Sequence, residues 1–414
     1  MRICIHRGTR QIGGTCVEIE CQGQRLVLEV GLPLDATEAE GLLPPIPGFR
    51  EADETLLGVV ISHPHQDHYG LAKYLRLDLP IYIGAAARRI LEAAANFIPA
   101  GVTFPNAIYL RDLEPLQVGP FEITPYLIDH SAYDAYAFLV AADKKRIFYT
   151  GDLRAHGAKG GLFEKLVRNP PKQVDVLLME GSTIGRLDAK GGFPSEKELE
   201  VGFLKEMKSA KGMVLVYCSG QNIDRIVTIF RACKQSQRQM IIDLYTAEIL
   251  RATENPHIPQ GDWPGVRVFI PQWQRRLVKR NQLFHLLEIY KKNRIFPEEL
   301  REIAAHATML FRPSMATDLE EAGGLDEAKL IYSLWDGYLK EESISPFLNW
   351  LDRHGIPMSQ IHTSGHASIS DLQRLAKAIN AKMVVPIHSF EPLQYPEFFA
   401  NVAIKQDGIW WDVE

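Results

Sequence analysis

Cysteine is scarce in this 414-residue chain: Cys4, Cys16, Cys21, Cys218 and Cys233 are the only five. Their number is odd and no two form a CxxC pair, which argues against a disulfide framework or a thiolate zinc knuckle and for buried reduced thiols. There is no run of eighteen apolar residues, no signal-peptide pattern and no lipidation motif, so a cytoplasmic location is expected and a membrane span is not. Surplus positive charge is also lacking. The 46 Lys and Arg are outnumbered by 51 Asp and Glu, for a net charge of −5. That disfavours non-specific nucleic-acid binding by bulk electrostatics, although a local basic groove remains compatible with it. No internal repeat or low-complexity tract is visible. The composition is otherwise that of a soluble globular protein, 46% hydrophobic and 23% charged, and the length predicts two domains.

Against this background one segment stands out. His63-Pro64-His65-Gln66-Asp67-His68 puts three imidazoles and a carboxylate within six residues, directly after the apolar run Leu56-Leu57-Gly58-Val59-Val60-Ile61. That run reads as a buried strand. In an extended turn His63 and His65 point the same way, and Asp67 and His68 project from the next bend. One segment can therefore offer two ligands to one metal and two to a second. Imidazole nitrogen with carboxylate oxygen suits zinc, and less exclusively manganese or iron. The bland alternative is a histidine-rich surface turn. Three further ligand-type residues argue against it, each at the end of an apolar β-run: His130 after Leu127-Ile128-Asp129, Asp152 after Phe148-Tyr149-Thr150-Gly151, and His388 after Val384-Val385-Pro386-Ile387. Strand ends on a rigid sheet are a usual place to hold metals.

Strands are expected at 2–6, 14–20, 25–30, 57–62, 121–128, 135–141, 146–150 and 174–179, with helices at 70–78, 85–97 and 162–168. Hairpins followed by crossovers suggest two stacked sheets with outer helices. A boundary is placed in the Gly- and charge-rich stretch 185–195. Beyond it, strands at 213–217 and 239–243 alternate with helices at 196–210, 221–235 and 245–253, the βα pattern of a parallel sheet; 308–312 and 329–334 look like further strands. From about 355 the first texture returns, with a strand at 360–363, a helix at 369–379 and a strand at 382–387. The chain leaves its first domain, builds an insert, and comes back.

These residues resemble, in order and spacing, the metal-ligand series of the metallo-β-lactamase fold, and within it the β-CASP nucleases of the ribonuclease J family. The resemblance rests on His63-x-His65-x-Asp67-His68, Asp129-His130-Ser131-Ala132-Tyr133-Asp134-Ala135, Asp152, His362-Thr363-Ser364-Gly365-His366, Pro386-Ile387-His388 and the opening Gly8-x-x-Gln11-Ile12-Gly13. It covers nearly the whole chain and is weaker across 196–350. It implies an αββα metallo-β-lactamase sandwich from 1–190 and 355–414, with a β-CASP α/β domain inserted at 191–354. It also implies two zinc ions, with manganese as the alternative. His63, His65 and His130 would hold one, Asp67, His68 and His388 the other, and Asp152 would bridge them. Such a pair activates water and clamps a phosphate. His366 corresponds to the β-CASP histidine and would serve as general acid or steady the non-bridging oxygens. Glu180 matches the acidic motif and would orient His366 or a ligand. The catalytic candidates are thus His366, Glu180 and Asp67. A histidine at position 388 goes with the RNA-processing members of the family. The implied substrate is single-stranded RNA, cut exo- or endonucleolytically, with a homodimer left open.

His362, Ser364 and Gly365 resemble the segment that receives a 5′-monophosphate. Ser219 and Gly220, in a small-residue turn opening a helix, form a second candidate for binding substrate phosphate; a simple helix cap explains them equally well. Arg275, Arg276, Lys279, Arg280, Lys291, Lys292 and Arg294 read either as a solvated helix face or as an RNA-tracking wall with aromatic partners. The chain departs from the family at His388-Ser389-Phe390, where His-Gly-Glu is usual, and at Glu29, where Asp is typical. It also ends at Glu414, which leaves no room for a long C-terminal domain. A same-core hydrolase of a small ester, thioester or cyclic phosphate is the alternative, and a non-catalytic RNA-binding or scaffold protein is a third. The insert and His366 weigh against the former; full retention of ligand-type residues weighs against the latter.

Overall fold

The computed structural model describes residues 1–34, 36, 39–98, 101–186 and 191–414. The chain divides into two compact units. One comprises 1–92, 102–193 and 365–414; the other comprises 93–101 and 194–364.

The first unit is a sandwich of two sheets. One sheet orders its strands Trp410–Asp412, Arg2–Arg7, Cys16–Cys21, Gln24–Leu28, Leu56–Val60, Ile81–Gly84 and Ile108–Leu110; the other runs Met383–Ile387, Val176–Glu180, Lys145–Tyr149, Tyr136–Ala142, Phe121–Leu127 and Leu116–Val118. Alternation along each strand turns one face inward. Ile3, Ile5, Val17, Ile19, Leu26, Leu28 and Val60 of the first sheet meet Phe121, Ile123, Phe138, Val140, Ile147, Leu178 and Ile387 of the second in one core. The outer faces are apolar as well, so each needs a cover. Ala87 and Leu91 of the helix Ala85–Ala95 pack on the first sheet with Phe49 and Leu71. The helices Gly160–Arg168 and Ile369–Ile379 cover the second through Phe163, Leu166, Leu372 and Leu375. The result is a four-layered αββα mixed α/β fold.

Parallel pairing brings several strand ends to one edge. Leu28 pairs with Val60, Tyr149 with Leu178, and Glu180 with Ile387. The residues that follow these strands are Glu29, Ser62–His63, Asp152 and His388. Glu29 and His388 both have left-handed backbone, φ +64° and +52°. That conformation is costly for residues other than glycine and is held by its surroundings.

The second unit is a seven-stranded, all-parallel sheet in the order Arg294–Ile295, Val266–Phe269, Gln239–Asp243, Ala307–Leu310, Val214–Tyr217, Lys329–Tyr332, Met358–Gln360. Its first helix, Glu196–Ser209, opens on a reciprocal Ser195–Glu198 capping box, which satisfies two otherwise orphaned amides. Glu196 is buried against Arg225, whose guanidinium also reaches Ser333. None of the helices among the described residues is long and apolar enough to cross a membrane. All five cysteines are free and buried.

The helix expected at 70–78 is replaced by two short turns, Gln66–Tyr69 and Ala72–Tyr74. Tertiary contacts take the amides a helix would have used: Leu71 N–H donates to Val30 and Arg76 N–H to Phe49. The short strands at 81–84, 108–110 and 266–269 and the helices between 272 and 353 have no counterpart in the sequence expectations.

The ligand-rich loop is gripped by the chain leaving strand Gln24–Leu28. Val30 N–H donates to His68 O, Leu32 N–H to Gln66 O, and Gly14 N–H to Asp67 O. A Cβ on Gly31 would overlap the Asp67 carbonyl. Gly31→Ala is therefore expected to cost about 3 kcal/mol or more and to weaken metal binding by displacing Asp67 and His68. Gly161→Ala, in a helix with open space around the added carbon, should instead stabilise by about 0.5–1 kcal/mol. Thermal melts and metal titrations of the two variants check both.

Candidate metal centre

The strand ends of the first unit place seven candidate ligands in two touching groups. His63, His65 and His130 form one, with a ligand atom of each within 4.8 Å of the others; Asp67, His68, Asp152 and His388 form the second. A third set joins Asp152 to Glu180 and His366. Asp152 is the common member. Its Oδ2 lies 3.1 Å from His68 Nε2, 3.5 Å from His388 Nε2, and 3.9 Å from both His63 Nε2 and His366 Nδ1.

Several inward-facing atoms have no protein partner. His63 Nε2, His388 Nε2 and Asp152 Oδ1 are buried without a hydrogen bond, a costly state for polar atoms. The opposite side of each ring is held. Ser62 Oγ lies 2.9 Å from His63 Nδ1 and Thr15 Oγ1 3.1 Å from His388 Nδ1, while Gly365 O lies 2.7 Å from His130 Nδ1. Gly13 N–H also donates to His388 Nδ1 at 3.3 Å. Where Nδ1 is the donor, as in His130 facing Gly365 O, the ring leaves its lone pair on Nε2, which is how metal-binding histidines are oriented. These donors suit a divalent cation.

Electrostatics agree. Burial and neighbouring histidines drive His63 and His130 well below the ordinary imidazole range, so both are neutral, as ligands must be. Burial alone would raise the Asp152 carboxyl; His388, His68 and His366 overturn that and hold it well below the usual carboxylate range. His68 moves the opposite way, raised against its burial by Asp152, Asp67 and Glu29. The carboxylates thus demand positive charge, which imidazolium or a bound cation can supply.

Glu180 is fully buried and shared. Its Oε1 accepts from Leu153 N–H at 3.0 Å, beside Asp152, and its Oε2 from Ser182 N–H at 3.2 Å. His366 Nδ1 sits 3.2 Å from Oε2. Burial lowers His366, but Glu180 and Asp152 outweigh it and raise its pKa to about 9.

Four supporting residues were not recognised from sequence. Glu29 accepts from Ser62 N–H through both oxygens, at 3.1 and 3.3 Å, and faces His68 Nδ1 at 3.6 Å. Asp129 binds Gly157 N–H at 2.7 Å and lies 3.4 Å from the buried Arg154, bracing the turn that carries His130. Ser62 and Thr15 act as described. The one available signal was Glu29, visible as a departure from the family's Asp.

The phosphate candidates divide between the units: Gly365 lies in the first, and Ser219, Gly220, His362 and Ser364 lie in the second. Gly365, in the first unit, spends its carbonyl on His130. Ser219 and Gly220, in the second, line a cavity of about 540 Å³ with Tyr217, Tyr245, Trp273 and Arg312; His362 and Ser364 are not among its lining residues. Ser219 Oγ accepts from Gln221 N–H, and Asn222 caps the following helix through Arg225 N–H. His362 Nδ1 faces Ser333 O at 3.3 Å, and burial with Arg225 lowers its pKa to about 4.

Residues 34–197 match the family described as the β-lactamase superfamily domain. Over most of its length the chain is similar to proteins named ribonuclease J. That of Sinorhizobium meliloti is 22% identical over 88% of this chain and 64% of its own length. That of Mycoplasma genitalium is 25% identical over 97% and 70%, and that of Helicobacter pylori strain 26695 is 23% identical over 92% and 55%. The chain thus spans just under two thirds of the first of these relatives and little more than half of the last. A solved structure, of a protein of unknown function from Enterococcus faecalis V583, shares the fold: TM-score 0.79 at 20% identity, covering 99% of both chains.

The depressed His362 pKa has a sign that can be tested. The folded state binds its proton less tightly than the unfolded state, so this contribution is present above about pH 6.5 and is lost as pH falls toward 4. In chelator, His362→Asn should remove about 2 kcal/mol of the stability otherwise lost between about pH 7 and 5. Denaturant melts of both proteins at the two pH values measure it; equal losses would show that His362 is protonated in the fold.

Proposed function

We propose that this protein is a metal-dependent phosphodiesterase acting on RNA, with the first unit, 1–92, 102–193 and 365–414, as the catalytic metallo-β-lactamase domain and the second, 93–101 and 194–364, as a β-CASP insert. The observation that carries the reading is the convergence on Asp152 of buried, unpartnered ligand atoms from His63 and His388. The ribonuclease J name of the relatives supports RNA as the substrate class. In this reading His63, His65 and His130 hold one zinc or manganese ion, Asp67, His68 and His388 hold a second, and Asp152 is shared. When bound, such ions neutralise a phosphodiester and make water nucleophilic at neutral pH.

The remaining work falls to the protein. Glu180 fixes His366 through Nδ1 and anchors the backbone beside Asp152 through Leu153 N–H. His366, kept protonated by these carboxylates, retains a proton on Nε2 for the leaving oxygen. Glu29, Ser62 and Thr15 hold His68, His63 and His388 in orientation.

Metal analysis of the purified protein, followed by incubation with labelled RNA, DNA and a generic small phosphodiester, tests the assignment. RNA cleavage abolished by chelator is expected; cleavage that persists without metal would overturn it. Asp152→Ala should lose both metal occupancy and activity. His366→Ala should keep its metal and slow cleavage by roughly 10²–10⁴; loss of metal in that variant would make His366 a ligand instead.

A further inference from the structure

The basic segment of the second unit is not used by the metal centre. Between Gln272 and Arg294 there are seven Lys and Arg against one Glu, a local net charge of +6 in a chain of net −5. The structure turns the first four into a single face. The helix Gln272–Arg280 buries Gln274 and Val278. At about 100° per residue, Arg275, Lys279, Arg276 and Arg280 then occupy an arc of about 140° on the other side, and all four are exposed. Arg275 has a partner in Asp318 at 3.1 Å. Arg276, Lys279, Arg280 and Lys292 have no acidic partner among the described residues; the segment's one acid, Glu288, is 3.7 Å from Lys291.

Like charges held on one face repel. Arg294 shows this: burial first, then Arg275, hold its guanidinium below the usual range, which also places the end of the segment close to the helix. Exposed aromatic rings accompany the charges. Phe284, which follows the helix, is 55% exposed, and Phe296 is 46% exposed with the Arg294 guanidinium 4.6 Å over its ring.

We propose that the helix face of Arg276, Lys279 and Arg280 in the second unit, together with the exposed Lys292, Phe284 and Phe296 that follow it in the chain, is a docking surface for single-stranded RNA. Uncompensated positive charge selects a polyanion, and exposed rings at intervals give unpaired bases something to stack on. A lipid surface fits less well, because the helix Gln272–Arg280 already buries its apolar side in its own unit, which leaves the isolated rings Phe284 and Phe296 in place of a continuous apolar face to insert. The choice of RNA as the polyanion rests on the proposed function.

The test uses the full chain in chelator, with a fluorescent single-stranded RNA of about 20 nucleotides, by anisotropy across a salt series. Combining Arg276→Ser, Lys279→Ser and Arg280→Ser should weaken binding at least about tenfold and reduce the slope of log K against log salt by about 2, near 0.7 per charge removed. Phe284→Ala should weaken binding several-fold with the slope unchanged. Turnover of a small phosphodiester by the metal-loaded protein separates this surface from the metal site and should be the same in all variants. Unchanged RNA affinity and slope in the triple variant would overturn the proposal. So would a loss confined to adsorption on phosphatidylglycerol vesicles, which would make the surface lipid-directed. If the wild type fails to turn over the diester while the triple variant still loses RNA affinity, the phosphodiesterase reading fails and the docking surface stands.

Discussion

A carboxylate buried at the end of a central strand needs compensating charge, and Asp152 is such a group, 2% exposed. The histidines around it supply that compensation, and their placement depends on the strands behind them. His68 comes from the loop after strand Leu56–Val60, His388 from the end of Met383–Ile387, and His366 from the turn before helix Ile369–Ile379. A shift of one residue in any of these registers would turn a ligand to the other face of its sheet. The sandwich core, which sets those registers through Val60, Leu178 and Ile387, is therefore also what sets the site.

The polar atoms behind the ligands matter as much as the ligands. His63 and His388 each face a hydroxyl on one side and an unpartnered interior on the other. That asymmetry distinguishes a binding group from a satisfied core histidine. Glu29 and His388 occupy left-handed backbone and are retained there by hydrogen bonds, from Ser62 N–H to Glu29 and from His388 N–H to Gly8 O. Strain of this kind, held in place by surrounding structure, is common at functional sites.

The second unit follows different physics. Its sheet is wholly parallel, so its inner strands are buried on both faces and its crossovers supply helices, while the edge strand Met358–Gln360 is not buried. The loops at strand ends carry its polar features: Asp243 caps the helix Leu244–Ala252 and pairs with Arg312, which lies over the Tyr245 ring. Charge is strongly uneven along this unit, with the basic helix Gln272–Arg280 close in sequence to the acidic start of helix Pro297–Ile303.

Sequence alone determined which residues have ligand chemistry and that they follow apolar strands, because imidazole and carboxylate groups after a β-run leave a local pattern. The seven candidates His63, His65, Asp67, His68, His130, Asp152 and His388 stood out for that reason, whereas His366 and Glu180 were singled out only by the family resemblance; the long sandwich strands and the helix Ile369–Ile379 were legible from their pattern. The helix expected at 70–78 was not realised, since Val30 and Phe49, distant in sequence, claim its amides. Short buried strands such as Ile81–Gly84 carry too little period to be recognised. Glu29, Asp129 and Thr15 support the site through contacts spanning 33 residues, 28 residues and 373 residues, and no local pattern shows what they hold. Only the tertiary structure decided that Glu29, Ser62 and Thr15 stand behind His68, His63 and His388 and that Ser219 and Gly220 line a cavity with Tyr245, Trp273 and Arg312, because both depend on distances that folding creates.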